Sequence, residues 1–443
     1  MTLQEVTERP KRGSRVFPES EFEARFARVR QAMGERGLDA VLVSSPENIF
    51  YLTGLDYQGY FAYQALIVPL EGMPVLITRA MERAIIRDRV PNVRHVGYSD
   101  GVATLPGASA ADTDLQMAER RESGEVAGLR PWSTSIGIPT RESASHPSPF
   151  AAGGQATCMA LKDCGLARSR LGIEKASSLL PLGIVEEIMG GLPEAQFEDA
   201  SDLVTDCRLI QSPLELENTR KAAAVSESMM LAAIAAAGPG VAKRDVLAAI
   251  YQTMFSRGGT HPGFVPLVRS TRTLEHEHGP WEEDGLAARD ILFLEMSGCV
   301  RRYHAPLSRL VFIGKAPTRA ERIQRVCEEA IDAAQKAIRP GVRASEVYAA
   351  WQKRVDESGF AGYRRHHCGY LVGIGFPPSW TGNGVPVGLR EGSNMELRAG
   401  MVFHLLSWLL RTRRGDYVIS DTVLVTETGC DVLTNVSRGI IVR

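Results

Sequence analysis

Two stretches in the second half of the chain repeat one pattern. Pro239-Gly240-Val241, followed by Asp245-Val246 and Ala248-Ala249, matches Pro340-Gly341-Val342, followed by Glu346-Val347 and Ala349-Ala350. Each copy follows an Ala-rich helical stretch and opens another helix, and strand-like segments come after both. A helix–Pro-Gly–helix unit used twice predicts a pseudo-symmetric α+β domain, because neither copy buries its apolar face alone.

Between the copies the chain reads D-I-L-F-L-E-M-S-G-C-V-R-R-Y-H-A-P-L-S-R-L-V-F from Asp290 to Phe312. An apolar run, 291–294, ends on Glu295, and a second run returns through Tyr303 to Phe312. This predicts two adjacent strands joined by a Gly-containing turn, with polar groups set among apolar neighbours.

The first half has a different rhythm. Phe22, Phe26, Val29 and Met33 recur at helical spacing over 19–37, and short apolar runs at 39–44, 65–69 and 75–78 predict strands. That alternation belongs to an α/β domain. Between 104 and 154 the composition shifts to Ala, Ser, Gly and Pro, which predicts a surface loop, either a lid or an excursion without function. Beyond it the pattern predicts a helix over 155–166, a strand over 172–174 and a helix over 181–189. A last strand over 204–210 then leads into a long helix over 213–237. The chain therefore divides into a tail (1–18), an α/β domain (19–205) carrying the 104–154 insertion, and a second domain (206–443).

Composition mainly excludes. The 443 residues carry a net charge of −1 with dispersed basic residues, so nothing points to nucleic acid or a charged membrane surface. No apolar run reaches the length of a membrane span, and the first residues lack the apolar core of a signal peptide. Seven scattered cysteines, without zinc-ribbon spacing, predict reduced thiols in a cytoplasmic protein.

The hairpin frame resembles that of the pita-bread superfamily, which holds creatinase, prolidase, Xaa-Pro aminopeptidases and methionine aminopeptidases. The string Pro46-Glu47-Asn48-Ile49, continued by Tyr51-Leu52-Thr53-Gly54, resembles the N-terminal domain of the creatinase and aminopeptidase P branch. The resemblance implies a pita-bread catalytic domain behind a smaller creatinase-type domain. The metallopeptidases of that superfamily place five metal ligands: two Asp on the hairpin, a His in a Gly-rich strand, and two Glu near the C-terminus. Here those positions fall on Glu295, Pro306, Tyr370, Leu406 and Ser420. One carboxylate in five cannot build a dinuclear centre, because hard divalent cations need several oxygen or imidazole donors. No metal and no other cofactor is expected.

Within the superfamily the closest resemblance is to the metal-free branch that contains ectoine hydrolase. It is carried by Leu294-Glu295, Gly298, Arg302-Tyr303-His304, Pro306-Leu307-Ser308-Arg309, Gly369-Tyr370, Pro377-Pro378, Trp380, Met401 and Phe403-His404. This implies a hydrolase that opens a C–N bond in a small cyclic amidine bearing a carboxylate, and a homodimer in which an aromatic segment, 57–63, caps the partner's site. Such chemistry needs a carboxylate for the cationic C–N group, an attacking or water-activating group, and donors for the tetrahedral centre.

Glu295 and Glu277 suit the first two roles, with His304, His404 and Tyr370 as proton carriers or donors. Trp281, His278, Trp380, Tyr303 and Arg309 are the expected substrate-binding residues, the tryptophans offering faces to a delocalised cation. If the stretch Glu275-His276-Glu277-His278 is a strand, His276 and His278 point one way, where they could hold a stray metal, and Glu277 points the other. A peptidase or lyase with an unconventional metal site, and a binding protein for small zwitterions, are the other classes open to such a sequence.

Overall fold

The computed structural model describes residues 16–98, 149–281, 284–382, 387–412 and 415–443. The 104–154 insertion lies outside them except for its last residues, which begin the helix Pro149–Asp163.

The N-terminal domain is built on a six-stranded mixed sheet of order β4-β3-β2-β1-β5-β6. Its strands are β1 (Ala40–Val43), β2 (Ala65–Pro69), β3 (Val75–Arg79), β4 (Arg94–Tyr98), β5 (Arg170–Ile173) and β6 (Gln196–Asp199). β1 runs parallel to β5 and antiparallel to β2, and all four of its residues are buried, as expected for a strand covered on both faces. The string beginning at Pro46 forms a helix, Pro46–Thr53, with Pro at its start and every residue buried.

One expectation changes here. The segment over 204–210 is not a strand: β6 already closes that edge of the sheet, and Leu203–Cys207 is a short helix with Leu203 and Val204 turned into the core. A short apolar run does not by its pattern separate strand from helix. Within 57–63, Tyr57 and Tyr63 point into their own domain; Phe61 is the large side chain left outside, 68% exposed, beneath the Arg79 guanidinium.

The second domain has a nine-stranded sheet whose main path is β11-β10-β12-β13-β9-β8-β7. The strands are β7 (Leu267–Ser270), β8 (Ile291–Val300), β9 (Tyr303–Phe312), β10 (Gly369–Leu371), β11 (Gly388–Leu389), β12 (Val402–Leu409) and β13 (Tyr417–Val425). Helix Pro213–Ala236 packs on β8 and β9, and helix Ala320–Ala337 packs on β12 and β13. The two repeat copies make equivalent joints. Gly240 and Gly341 adopt φ of 83° and 84°, where glycine is favoured. Gly240 N–H donates to Leu286 O while Leu286 N–H donates to Val241 O; Gly341, Leu397 and Val342 repeat this arrangement.

The hairpin is longer than the expected one. β8 and β9 pair over ten residues each, and the turn is Arg301-Arg302, both at positive φ as a two-residue hairpin turn requires. Gly298 is inside β8. A Cβ there would stand 2.5 Å from Ala222 O, so glycine is needed for helix 213–236 to approach the strand. Arg302 is held by Asp56 at 2.7 Å and lies over the Phe376 ring, tying the turn to the N-terminal domain.

Candidate active site

Strand register determines which side chains share the inner face of the second sheet. Glu295 lies opposite Ser308, Ser297 opposite Pro306, Ser308 opposite Ser420, Leu406 opposite Ser420, and Tyr370 opposite His404. Directly opposed residues point to the same side, so all five former ligand positions converge. Pro306 and Leu406 bring no donor atom. Among the described residues no group of three His, Cys, Asp or Glu side chains is placed to hold a metal ion. The residues present do not fit the divalent metals that the fold family implies.

A hydrogen-bonded chain occupies the face instead. Trp408 Nε1 donates to Ser308 Oγ (3.1 Å), Ser308 Oγ meets Ser420 Oγ (2.7 Å), and Ser420 Oγ meets His404 Nε2 (2.6 Å). His404 Nδ1 is 2.8 Å from Tyr370 Oη, which also accepts from Trp380 Nε1 at 3.1 Å. Indole N–H only donates, and this decides the direction of the chain. With protons running from Trp408 through both serines to His404 Nε2, the Nδ1–H donates to Tyr370, and the Tyr370 O–H is left for the site. The opposite direction would strand the Ser308 proton in a fully buried place with no acceptor, at a cost of about 1–3 kcal/mol.

Glu295 stands beside this chain, with Oε1 3.9 Å from His404 Nδ1. It is 4% exposed, and among the described residues no donor reaches it within hydrogen-bonding distance. Burial pushes its carboxyl up to about 7; Arg269 and then Arg365 oppose the rise, and Glu277 adds to it. Burial holds His404 well below its ordinary value, with His367 and Arg309 adding, so its ring is neutral. Tyr370 is raised well above its ordinary value by burial and then by Glu295, and it remains a donor. A carboxyl poised near neutrality beside a protonated phenol is an acid–base arrangement.

Glu295, His404, Tyr370 and Trp380 are thus brought together, while other candidate site residues lie elsewhere. Tyr303 is fully buried between the domains, its hydroxyl donating to Glu215 at 2.7 Å, and its ring touches Phe17 and Phe50; it cannot reach a substrate. Arg309 is buried as well. It pairs with Asp421 at 2.8 Å and donates to four backbone carbonyls, those of Ser308, Ser420, Val436 and Ser437, which makes it a structural cross-brace. His304 accepts from Gly263 N–H at Nε2 (2.8 Å) and donates from Nδ1 to Gly373 O (3.3 Å). With both nitrogens committed and burial lowering it to about 4, it stays neutral and holds two loops together.

Glu275, His276, Glu277 and His278 form exposed turns, not a strand, so the expected alternation of their side chains does not exist. Glu277 lies at the rim, near enough to act on Glu295 and Arg269. The His278 ring meets Phe264, which in turn meets Trp380. Trp281 is 44% exposed, its N–H on Pro266 O and its ring against Tyr251, apart from the Tyr370–Trp380 cluster.

Sequence reasoning overlooked Arg269, Arg365, His367 and Trp408. The available signals were an arginine inside the short apolar run 267–270 and the Arg365-His366-His367 cluster just ahead of Gly369-Tyr370.

Fold and site together define a two-domain, pita-bread hydrolase architecture whose metal-ligand positions have been replaced. The chain belongs to the creatinase and prolidase superfamily: residues 217–427 match metallopeptidase family M24, and residues 25–120 match the creatinase/prolidase N-terminal domain. It is 27% identical over 439 residues to ectoine hydrolase of Halomonas elongata, covering 96% of this chain and 98% of that one. It is 26% identical over 271 residues to an Xaa-Pro dipeptidase of Pyrococcus horikoshii, covering 61% of this chain and 74% of the other. Prolidase of Thermococcus sibiricus shares the fold with a TM-score of 0.75 at 18% identity, over 95% of this chain and 99% of that structure.

Proposed function

We propose that this protein is a metal-independent hydrolase that cleaves a C–N bond in a small cyclic amidine or amide bearing a carboxylate, in the manner of ectoine hydrolase. The observation that carries the reading is Glu295: a buried carboxylate without a donor among the described residues, alone among five positions that hold metal ligands in the metallopeptidases. A protonated amidine already has an electron-poor carbon, so it needs less polarisation by a Lewis acid than a peptide carbonyl does. Glu295 pairs with the cationic C–N group and either attacks its carbon or takes the proton of the attacking water. Tyr370 O–H faces the developing tetrahedral centre, where a positioned donor is worth most. The neutral His404, locked between Ser420 and Tyr370, keeps that phenol oriented. Trp380 supports the same phenol from the other side.

Similarity to the Pyrococcus horikoshii dipeptidase favours a second reading, an Xaa-Pro peptidase working through an unconventional metal site. A turnover assay on ectoine, related cyclic amidines and Xaa-Pro dipeptides, before and after chelation, separates the two. Ring opening should survive chelation in protein without stoichiometric Mn, Co, Zn or Fe. About two metals per chain, with dipeptide cleavage lost on chelation, would overturn the first reading. The cytoplasmic homodimer belongs to this proposal too. All seven cysteines are unpaired, as suits a reducing compartment, and solution scattering gives the oligomeric state. Among the described residues no helix is long and apolar enough to cross a membrane.

A further inference from the structure

Two arginines beside Glu295, Arg269 buried and Arg365 half-buried, each have a buried Nε without a partner. Arg269 is on β7, two residue pairs from Glu295 along the β7–β8 ladder and on the same face: Leu267 is opposite Glu295, and Arg269 is opposite Phe293. It is 5% exposed, and its guanidinium lies 3.9 Å from the centre of the Phe293 ring. Its Nη1 donates to Leu274 O at 3.1 Å, but its Nε is buried and donates to nothing. Arg365 lies 4.7 Å from the centre of the Trp408 ring, and its Nε is likewise buried without a partner. Phe293 and Trp408 themselves meet edge to face at 5.2 Å. The two guanidiniums therefore lie on adjoining aromatic rings, forming one wall of the site.

Among the described residues neither arginine has a carboxylate within ion-pair distance. The acids that act on Arg269 are Glu295 and Glu277, and Arg365 opposes its charge. Two neighbouring cations, Arg269 buried and Arg365 half-buried, face Glu295, itself near neutrality, and the exposed Glu277, which leaves an excess of positive charge. Retaining an unpaired buried charge such as that of Arg269 is costly unless an anion completes it. His367 adds a third unused group: its Nδ1 is buried without a partner, and its ring meets Tyr370 at 5.3 Å.

We propose that Arg269 and Arg365 form the subsite for a carboxylate carried by the substrate, with His367 Nδ1 at its edge. The inference rests on the hydrolase reading and deepens it. The site has a cationic wall on one side and Glu295 with Tyr370 on the other, so it selects a small zwitterion whose carboxylate docks on the arginines. The stacked guanidiniums are oriented by their aromatic rings, which suits a planar, bidentate acceptor.

The test uses wild-type protein, Arg365→Gln and Arg269→Lys, with three probes: ectoine, L-pyroglutamate and 2-pyrrolidinone, which is the pyroglutamate ring without its carboxylate. Calorimetric or thermal-shift titration should show saturable binding of both carboxylates to the wild type, and weaker or no binding of 2-pyrrolidinone. Arg365→Gln, at a partly exposed position, should fold normally and bind both carboxylates roughly 10- to 100-fold more weakly, the range for hydrogen bonds to a charged group. Its response to 2-pyrrolidinone should not change. Arg269→Lys keeps the charge but loses the fork and should fall between. The subsite is overturned if no carboxylate binds the wild type, or if Arg365→Gln binds carboxylates as the wild type does. Arginine-dependent binding without ring opening of ectoine would instead leave the subsite standing and overturn the hydrolase reading.

Discussion

Two buried carboxylates face each other's neighbours across the same sheet and do opposite things. Asp421 on β13 is fully buried and satisfied: Arg309 Nη2 reaches it at 2.8 Å, Arg438 Nε at 2.7 Å and Thr434 Oγ1 at 3.2 Å. Glu295 on β8 is buried almost as deeply and receives no donor from the described residues, and burial raises its proton affinity to about 7. The first is a cross-brace, its charge neutralised by cations that arrive with the fold. The second is an ion whose partner must come from outside. Depth alone does not distinguish a structural acid from a reactive one; the count of donors does.

The largest effects should separate the two positions. Glu295→Gln is expected to lower kcat by about 10³-fold or more, since it removes the attacking or water-activating group, while the melting temperature does not fall. Asp421→Asn should do the reverse: it leaves Arg309 and Arg438 underpaired at a cost of about 3–5 kcal/mol, read from urea unfolding, while the folded fraction keeps kcat within about twofold of the wild type by the same reasoning. A stable Asp421→Asn protein without turnover would remove the contrast.

Smaller effects sharpen it. Tyr370→Phe takes away the one O–H that the hydrogen-bonded chain leaves for the site and should cost about 10²-fold in kcat, with little change in KM. Glu277, exposed on its turn, acts on Glu295 only through space. Glu277→Gln should change kcat by only a few-fold, roughly the scale of a screened surface charge, and should lower the pH at which the activity profile turns, because Glu277 now holds Glu295 up. Loss of most turnover in Glu277→Gln would return it to the chemistry.

How much of this was legible follows the same divide. The Pro-Gly repeat and the hairpin were readable because local pattern and period-two alternation determine them, and they suffice to bring Glu295, Tyr370 and His404 onto one face. Partners were not readable. Arg309 and Arg438 meet on Asp421 from distant stretches of chain, and Tyr303 finds Glu215 across the domain junction. Arg309 and Tyr303 had the residue types of a binding site, and both are structural. The turn at Arg301-Arg302 was hidden for another reason: two arginines at positive φ have no local preference for that conformation, and Arg302 is held there by Asp56. Arg269 and Arg365 escaped because the aromatic rings that hold them come from other strands.

The most direct test of Glu295 as an unpartnered acid is the stability of wild type and Glu295→Gln as a function of pH. Between about 4.5, the ordinary value, and about 7, the folded protein keeps a proton on Glu295 that the unfolded chain releases. The stability this contributes is fully present below the lower value and is lost as pH rises through the upper one. At pH 8.5 wild type should therefore bear a penalty of about 3 kcal/mol that the glutamine variant lacks. Glu295→Gln should melt close to wild type at pH 4.5 and clearly above it at pH 8.5. A difference in melting temperature that stays constant across this range would mean that Glu295 is paired and ordinary, and would contradict the account.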